Sequence, residues 1–295
     1  MRFQDFYDYL MTRERIRIAK AEGKPWPWTD DPILQQFKFT NVRREHDRTS
    51  MEMRRFYTTH FKAPPEQIWL NCTIARYFGT YEFQKALGWQ TDFKPAAIKK
   101  LAKDRLAQGG RVFTGAYVIT NQGISAPKQE VVVDHFVKGV WDERKSLCAV
   151  VQNTGRWKDT LARLSTIPGF GGSGFMGKEV TLDTMFFMDF WPEKIGRGAS
   201  RPSDYWDWTP IGPGAQRGLV RVLGGNPRTT PSLRRGVGLS DLLALAAKQK
   251  EAGWPIAWGK LAPTDIQFGL CEFDKYERTK NKEGQPRSRY EAPQQ

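Results

Sequence analysis

Between Ser203 and Leu219 the chain reads SDYWDWTPIGPGAQRGL, which sets Asp204 and Asp207 among Tyr205, Trp206 and Trp208, ahead of a Gly-Pro-Gly turn and Arg217. Aromatic rings beside a carboxylate suit a pocket that stacks an unpaired base and moves a proton on it. The same letters also describe indoles that pin a loop to the core while the aspartates cap it. Two further groupings carry charge of both signs. One is Asn41, Arg43, Arg44 and Asp47; the other is Glu272, Lys275 and Arg278, three residues apart and so on one helical face. Arg43, Arg44, Arg217, Lys275 and Arg278 could hold an anion, while Asp47, Asp204, Asp207 and Glu272 could take a proton. A salt-bridged helix start and a surface ion-pair ladder would be spelled identically, and both readings stay open.

Residues 165–180, STIPGFGGSGFMGKEV, contain Gly172-x-x-x-x-Gly177-Lys178. That spacing imitates a phosphate-binding loop of a kinase. Glu179 stands where the loop needs Ser or Thr, and helical rather than strand-like residues precede it. A helix–hairpin–helix fits better: Leu164, Ile167, Pro168, Gly169 and Gly171 match an L-x-x-I-P-G-x-G turn between two helices. Its glycines let backbone amides approach a DNA phosphate without reading sequence. Gly169, Gly171, Gly172, Ser173 and Lys178 are then the expected DNA contacts. An ordinary tight turn is the alternative.

The elements that must position these groups are helical almost throughout. Phe3, Phe6, Tyr7, Leu10, Ile16 and Ile18 fall mostly on one face of a first helix. Asp31 followed by Pro32 marks a second start. Further helices are expected at about 43–60, 65–78, 80–87, 95–108, 127–150, 156–166, 174–190, 214–223, 240–251 and 264–280, the last opened by a Thr264/Gln267 capping box. Arg111–Thr120 is the one strand candidate, or else a buried helix. The stretch 192–213 reads as a long loop. The expected organisation is a single mainly α domain over 1–290, with two lobes at about 1–150 and 151–285, and a flexible tail over 285–295.

The chain has 46 Lys+Arg against 32 Asp+Glu, a formal charge of +14, which attracts polyanions and makes nucleic acid the first partner to consider. Aromatics at 13%, eleven of them Trp, argue for a folded chain. Cys72, Cys148 and Cys271 are odd in number and far apart, and His46, His60 and His135 share no ligand spacing with them, so neither disulfides nor a metal centre is expected. The charged N-terminus is no signal peptide, and no apolar run reaches membrane length. A cytoplasmic protein without a membrane partner is expected.

Three stretches taken in order carry a more specific signal: Phe39-Thr-Asn-Val-Arg-Arg-Glu-His-Asp-Arg-Thr49, Gly212-Pro-Gly-Ala-Gln-Arg-Gly-Leu219, and Cys271-Glu-Phe-Asp-Lys-Tyr-Glu-Arg278 followed by Gly284 and Arg287-Ser-Arg-Tyr290. With the hairpin between the first two, they resemble the alpha-glutamyl/putrescinyl thymine pyrophosphorylase family over roughly residues 30–290. The same helical domain accompanies 5-hydroxymethyluracil DNA kinases and is related to helix–hairpin–helix DNA glycosylases. The resemblance implies a glycosylase-like helical fold. It also implies phage thymine hypermodification: a small amine or amino acid replaces pyrophosphate on the 5-methylene of uracil in double-stranded DNA. Lacking a credible kinase loop, the chain would act after a separate kinase. No cofactor is implied, and a role for magnesium is left open.

Two other functions compete. A DNA glycosylase acting on a modified base would use the same hairpin and a downstream aspartate, although Lys178 is poorly placed as a nucleophile. A non-catalytic DNA-binding protein would account for the charge but not for the Trp/Asp loop.

Overall fold

In the computed structural model, which describes residues 2–115, 117–172, 174–196 and 198–290, the chain is mainly helical. In order the helices are α1 (Phe3–Ala21), α2 (Pro32–Gln36), α3 (Arg48–Tyr57), α4 (Pro65–Phe78), α5 (Tyr81–Leu87), α6 (Pro95–Ala107), α7 (Lys128–Val131) and α8 (Lys138–Asp142). A π-helical stretch, Val132–Val137, joins the last two. There follow α9 (Arg144–Thr154), α10 (Trp157–Leu164), α11 (Phe175–Phe187), α12 (Pro213–Val222), α13 (Pro231–Gly236), α14 (Leu239–Ala247) and α15 (Pro263–Lys280). Among the described residues the only strands are β1 (Glu193–Gly196) and β2 (Ala199–Arg201), an antiparallel pair.

Two local expectations are corrected. Arg111–Thr120 is irregular where described: it is rich in apolar and β-branched residues, but among the described residues no neighbouring strand pairs with it. The strands lie instead in the stretch taken as loop, where all four residues of β1 are exposed and no apolar pattern announces them. Capping is mostly as expected, since Asp31 Oδ1 accepts from the amides of Ile33 and Leu34 at 2.8 and 2.9 Å. At α15, however, Asp265 rather than the Thr264/Gln267 pair closes the start, accepting from Ala262 N at 2.8 Å.

The backbone divides into two compact units that are not successive halves. A terminal unit joins residues 1–47 to 206–295, and an inserted unit comprises residues 48–205. The division anticipated near residue 150 falls inside α9 of the inserted unit. The tail is tied further than expected, as Lys38 N donates to Ser288 O and Tyr290 N to Gln36 O, both at 2.9 Å.

In the terminal unit α1, α12, α14 and α15 share one core, with Phe6, Leu10, Leu219, Leu242, Leu270 and Phe273 buried within it. Gly214 and Gly218 lie four residues apart and so on one face of α12. A Cβ on Gly218 would strike the backbone of Leu270, and one on Gly214 would lie 2.9 Å from Cys271 Sγ. The GPGAQRGL stretch is therefore a groove that lets α15 approach at backbone distance.

The inserted unit is built around α4, buried from Ile68 to Phe78. Arg76 of α4 is tied to Asp183 of α11, with Nε 2.6 Å from Oδ2, and its Nη1 is 3.5 Å from Glu179. Helices α10 and α11 flank the glycine turn. At Gly169, with φ +92°, a side chain would be strained and its Cβ would collide with Tyr77 and Phe136. Leu164, Ile167 and Phe170 anchor the turn in the core, which leaves Gly171 and Gly172 exposed at its tip.

Candidate active site in the terminal unit

Helix α1 turns two charged side chains inward. Arg13 and Glu14 are 2% and 1% exposed. Arg13 Nη2 donates to Phe39 O at 2.8 Å, while Nε and Nη1 have no hydrogen-bond partner among the described residues. Glu14 Oε1 accepts from Nε and Nη2 of Arg17 at 2.9 and 2.7 Å, and Oε2 has no hydrogen-bond partner among the described residues.

Against them lies the extended segment 37–43 and the single 3-10 turn Arg44–His46. It is held by its own polar groups. Asn41 N donates to Asp47 Oδ1 at 2.8 Å, Asn41 Nδ2 donates to His46 O at 2.8 Å, and Arg44 is ion-paired with Asp47. Thr40 Oγ1, Glu45 Oε2 and His46 Nδ1 are buried atoms without a partner among the described residues. Burial lowers the pKa of His46 from its ordinary value, against the opposing pull of Glu45 and Glu14, which favours the neutral ring.

Helix α15 supplies the third wall. Glu272 accepts from Thr40 N at 3.0 Å and from Lys275 Nζ at 2.6 Å, and Lys275 lies 4.9 Å above the Phe39 ring. Arg44 lies 4.9 Å above Phe268. Arg217 and Arg221 share Asp274, at 2.9 and 2.7 Å. Arg278 is half-buried with Nε unpartnered among the described residues. The three stretches singled out in the sequence thus meet on one helix, although some 230 residues separate the first from the last.

Beside this cluster is a cavity of about 590 Å³ lined by Trp206, Asp207, Leu243, Lys250, Trp254 and Lys260, among others. Arg43 joins the two places, donating from Nη2 to Gly259 O at 2.9 Å and to Lys260 O at 3.2 Å.

The expected site residues therefore separate. Asn41, Arg43, Arg44, Asp47, Glu272 and Lys275 form one neighbourhood, with Arg217 and Arg278 farther along α12 and α15. Asp207 belongs to the cavity. Asp204 belongs to the inserted unit, where its two oxygens accept from the amides of Trp157 and Lys158 at 2.7 and 3.0 Å and so cap α10. The capping alternative describes Asp204, since each of its oxygens accepts from a backbone amide at the start of α10. Lys178, expected to face DNA, is buried at 4% exposure with Nζ 3.7 Å from Glu179. Gly177 is small because a Cβ there would press on Leu161, so the Gly172–Lys178 spacing records helix packing and not a phosphate loop. Ser173 lies outside the described residues.

Arg13 and Glu14 were not among the expected site residues. Arg13 lies three residues beyond Leu10 and seven beyond Phe6, and Glu14 four beyond Leu10, so both charges fall on the buried stripe of α1. Charges on an apolar face were the available signal. Among the described residues no group of three or more His, Cys, Asp or Glu is placed to hold a metal, and no helix is long and apolar enough to cross a membrane.

Comparison with known proteins adds a family. The helical domain of 5-hmdU DNA kinase matches residues 1–285. The 5-hmdU DNA kinase of Bacillus phage SP10 is 27% identical over 240 residues, which cover 74% of this chain and 35% of that protein. The chain thus spans about a third of the length of this curated relative. No solved structure matches the fold significantly.

Proposed function

The chain belongs to the family of the 5-hmdU DNA kinase helical domain, and from that premise we propose that it hypermodifies thymine-type bases in phage DNA. The step is transfer of an amino acid or polyamine onto 5-pyrophosphoryloxymethyluracil in double-stranded DNA. It follows a separate kinase, in the cytoplasm of the infected cell. The bond from the 5-methylene to oxygen breaks and its electron pair leaves with pyrophosphate. A bond to the amine nitrogen forms, and the proton lost by the amine passes to a protein group.

One observation carries this reading: buried donors and buried acceptors lie without partners in one neighbourhood of the terminal unit. Leaving such groups unsatisfied is costly, of order 1–3 kcal/mol each, unless a ligand completes them. Arg13 Nε and Nη1 are donors only, and with Lys275 and Arg43 nearby they suit a departing anion. Glu14 and Glu45 offer acceptors, and neutral His46 accepts a proton, which suits an incoming ammonium. A site that binds only an anion has no use for the carboxylates.

The turn between α10 and α11, with Gly171 and Gly172 at its exposed tip, is assigned to the DNA backbone, as in a helix–hairpin–helix of glycosylase type. The formal charge of +14 supports that partner.

The test is incubation with duplex carrying 5-pyrophosphoryloxymethyluracil and a mixture of amino acids and polyamines, with and without magnesium, followed by mass analysis of the nucleosides. One aminated nucleoside and released pyrophosphate are expected. Arg13→Met should lower the rate about 100-fold, the scale of losing one donor to a developing anion. Abasic sites would replace this reading with a glycosylase, and unchanged DNA under every amine would overturn it.

A further inference from the structure

The cavity beside the cluster has a lining that asks for a particular ligand. Its walls are apolar and aromatic, from Trp206, Leu243, Trp254 and Leu261, and its volume of about 590 Å³ is that of a small-molecule site. The walls are also fixed. Gln249 Oε1 accepts from Leu261 N at 2.8 Å while its Nε2 donates to Ala246 O at 2.9 Å, and Trp254 Nε1 donates to Gly259 O at 2.8 Å. Three charges line this space, Asp207, Lys250 and Lys260, and none has a hydrogen-bond or ion-pair partner among the described residues. Lys260 Nζ rests 4.7 Å from the centre of the Trp206 ring, covering one aromatic face.

We propose that this cavity seats the extruded uracil ring, with Asp207 accepting from the ring N3–H and Lys250 and Lys260 donating to its carbonyls. The inference rests on the base-modifying function proposed above and assigns where that base is held. The edge of a uracil ring reads acceptor, donor, acceptor, which is the complement of one carboxylate with two ammonium groups. Cytosine presents an acceptor at N3 and would meet the Asp207 carboxylate with repulsion. The flat ring takes the place Lys260 now holds over Trp206, with the stacking expected of an unpaired base on an indole. Arg43, bonded to the carbonyls of Gly259 and Lys260, then ties the cavity to the cluster that acts on the 5-substituent. Asp207 is accordingly a specificity residue and not the base that deprotonates the amine.

A duplex with 2-aminopurine opposite a single 5-hydroxymethyluracil reports extrusion as a rise in fluorescence, without any transfer chemistry. The protein should produce the rise with 5-hydroxymethyluracil about tenfold more readily than with 5-hydroxymethylcytosine, the scale of one lost hydrogen-bond contact to a base edge. Asp207→Asn, whose amide can also donate to cytosine N3, should bring that preference to within about twofold. Trp206→Ala should abolish the rise. An unchanged preference in Asp207→Asn, or full extrusion by Trp206→Ala, overturns the assignment. So does quenching of cavity tryptophan fluorescence by free glycine, glutamate or putrescine that Asp207→Asn removes, because the cavity then belongs to the amine. Extrusion with uracil preference but no transfer keeps the pocket and removes the chemistry; transfer indifferent to Asp207→Asn does the reverse.

Discussion

Both units bury charge, and both hold buried atoms without a hydrogen-bond partner among the described residues, such as Arg105 Nε in the inserted unit, but particular buried charges are met differently. In the inserted unit Arg76 and Asp183 meet as a close ion pair within the core, and Asp204 spends both oxygens on the amides that open α10. In the terminal unit Arg13, Glu14, Glu45 and His46 each keep a buried atom with no partner among the described residues. Satisfied buried charge stiffens a fold, whereas unsatisfied buried charge is stability given up for a ligand. At these positions the inserted unit reads as scaffold, and the cluster of the terminal unit is where the proposed chemistry would act.

The comparison can be broken most forcefully at Asp183. Asp183→Ala leaves the Arg76 guanidinium buried without its main partner and should cost about 3–5 kcal/mol in chemical denaturation. A loss below 1 kcal/mol would show that this pair is not a structural element. Asp204→Ala should cost about 0.5–2 kcal/mol, the range for a lost helix cap, while the transfer rate per folded molecule stays at the wild-type value. A collapse of turnover with unchanged stability would return Asp204 to the catalytic list.

The smallest effect concerns pH. Because burial holds the folded pKa of His46 below 6.5, the unfolded chain takes up the proton more readily. The neutral ring's contribution is complete above about pH 6.5 and is lost as pH falls through the lowered folded value. Thermal unfolding between pH 7 and 5 should thus show a destabilisation that His46→Gln reduces. An identical slope in that variant would mean that Glu14 and Glu45, the carboxylates facing the ring, offset its desolvation.

Much of this was legible in the sequence because it depends on short-range geometry. Asp31-Pro32 specified a helix start, and the 3.6-residue periodicity located α4, α6, α10, α12 and α15 to within a few residues. The charge excess and the three ordered stretches pointed to DNA and to the family. Spacing could not distinguish an aspartate that caps a helix from one that lines a cavity, since Asp204 and Asp207 share a motif yet fall in different units. Nor could it tell a phosphate loop from a packed turn until the neighbours of Gly177 and Lys178 were in place.

By itself, then, the sequence determined a basic, mainly helical chain with mixed charge at 39–49 and 271–278. Only the tertiary structure decided which of those charges remain available. Availability depends on every donor and acceptor that folding brings within about 3 Å, and those arrive from residues distant in the chain. Folding joins residues 1–47 to 206–295, leaves Asp207 lining a cavity without a partner among the described residues, sets Asp204 on the amides that open α10, and carries Arg13 and Glu14 from an ordinary-looking amphipathic helix into the candidate site.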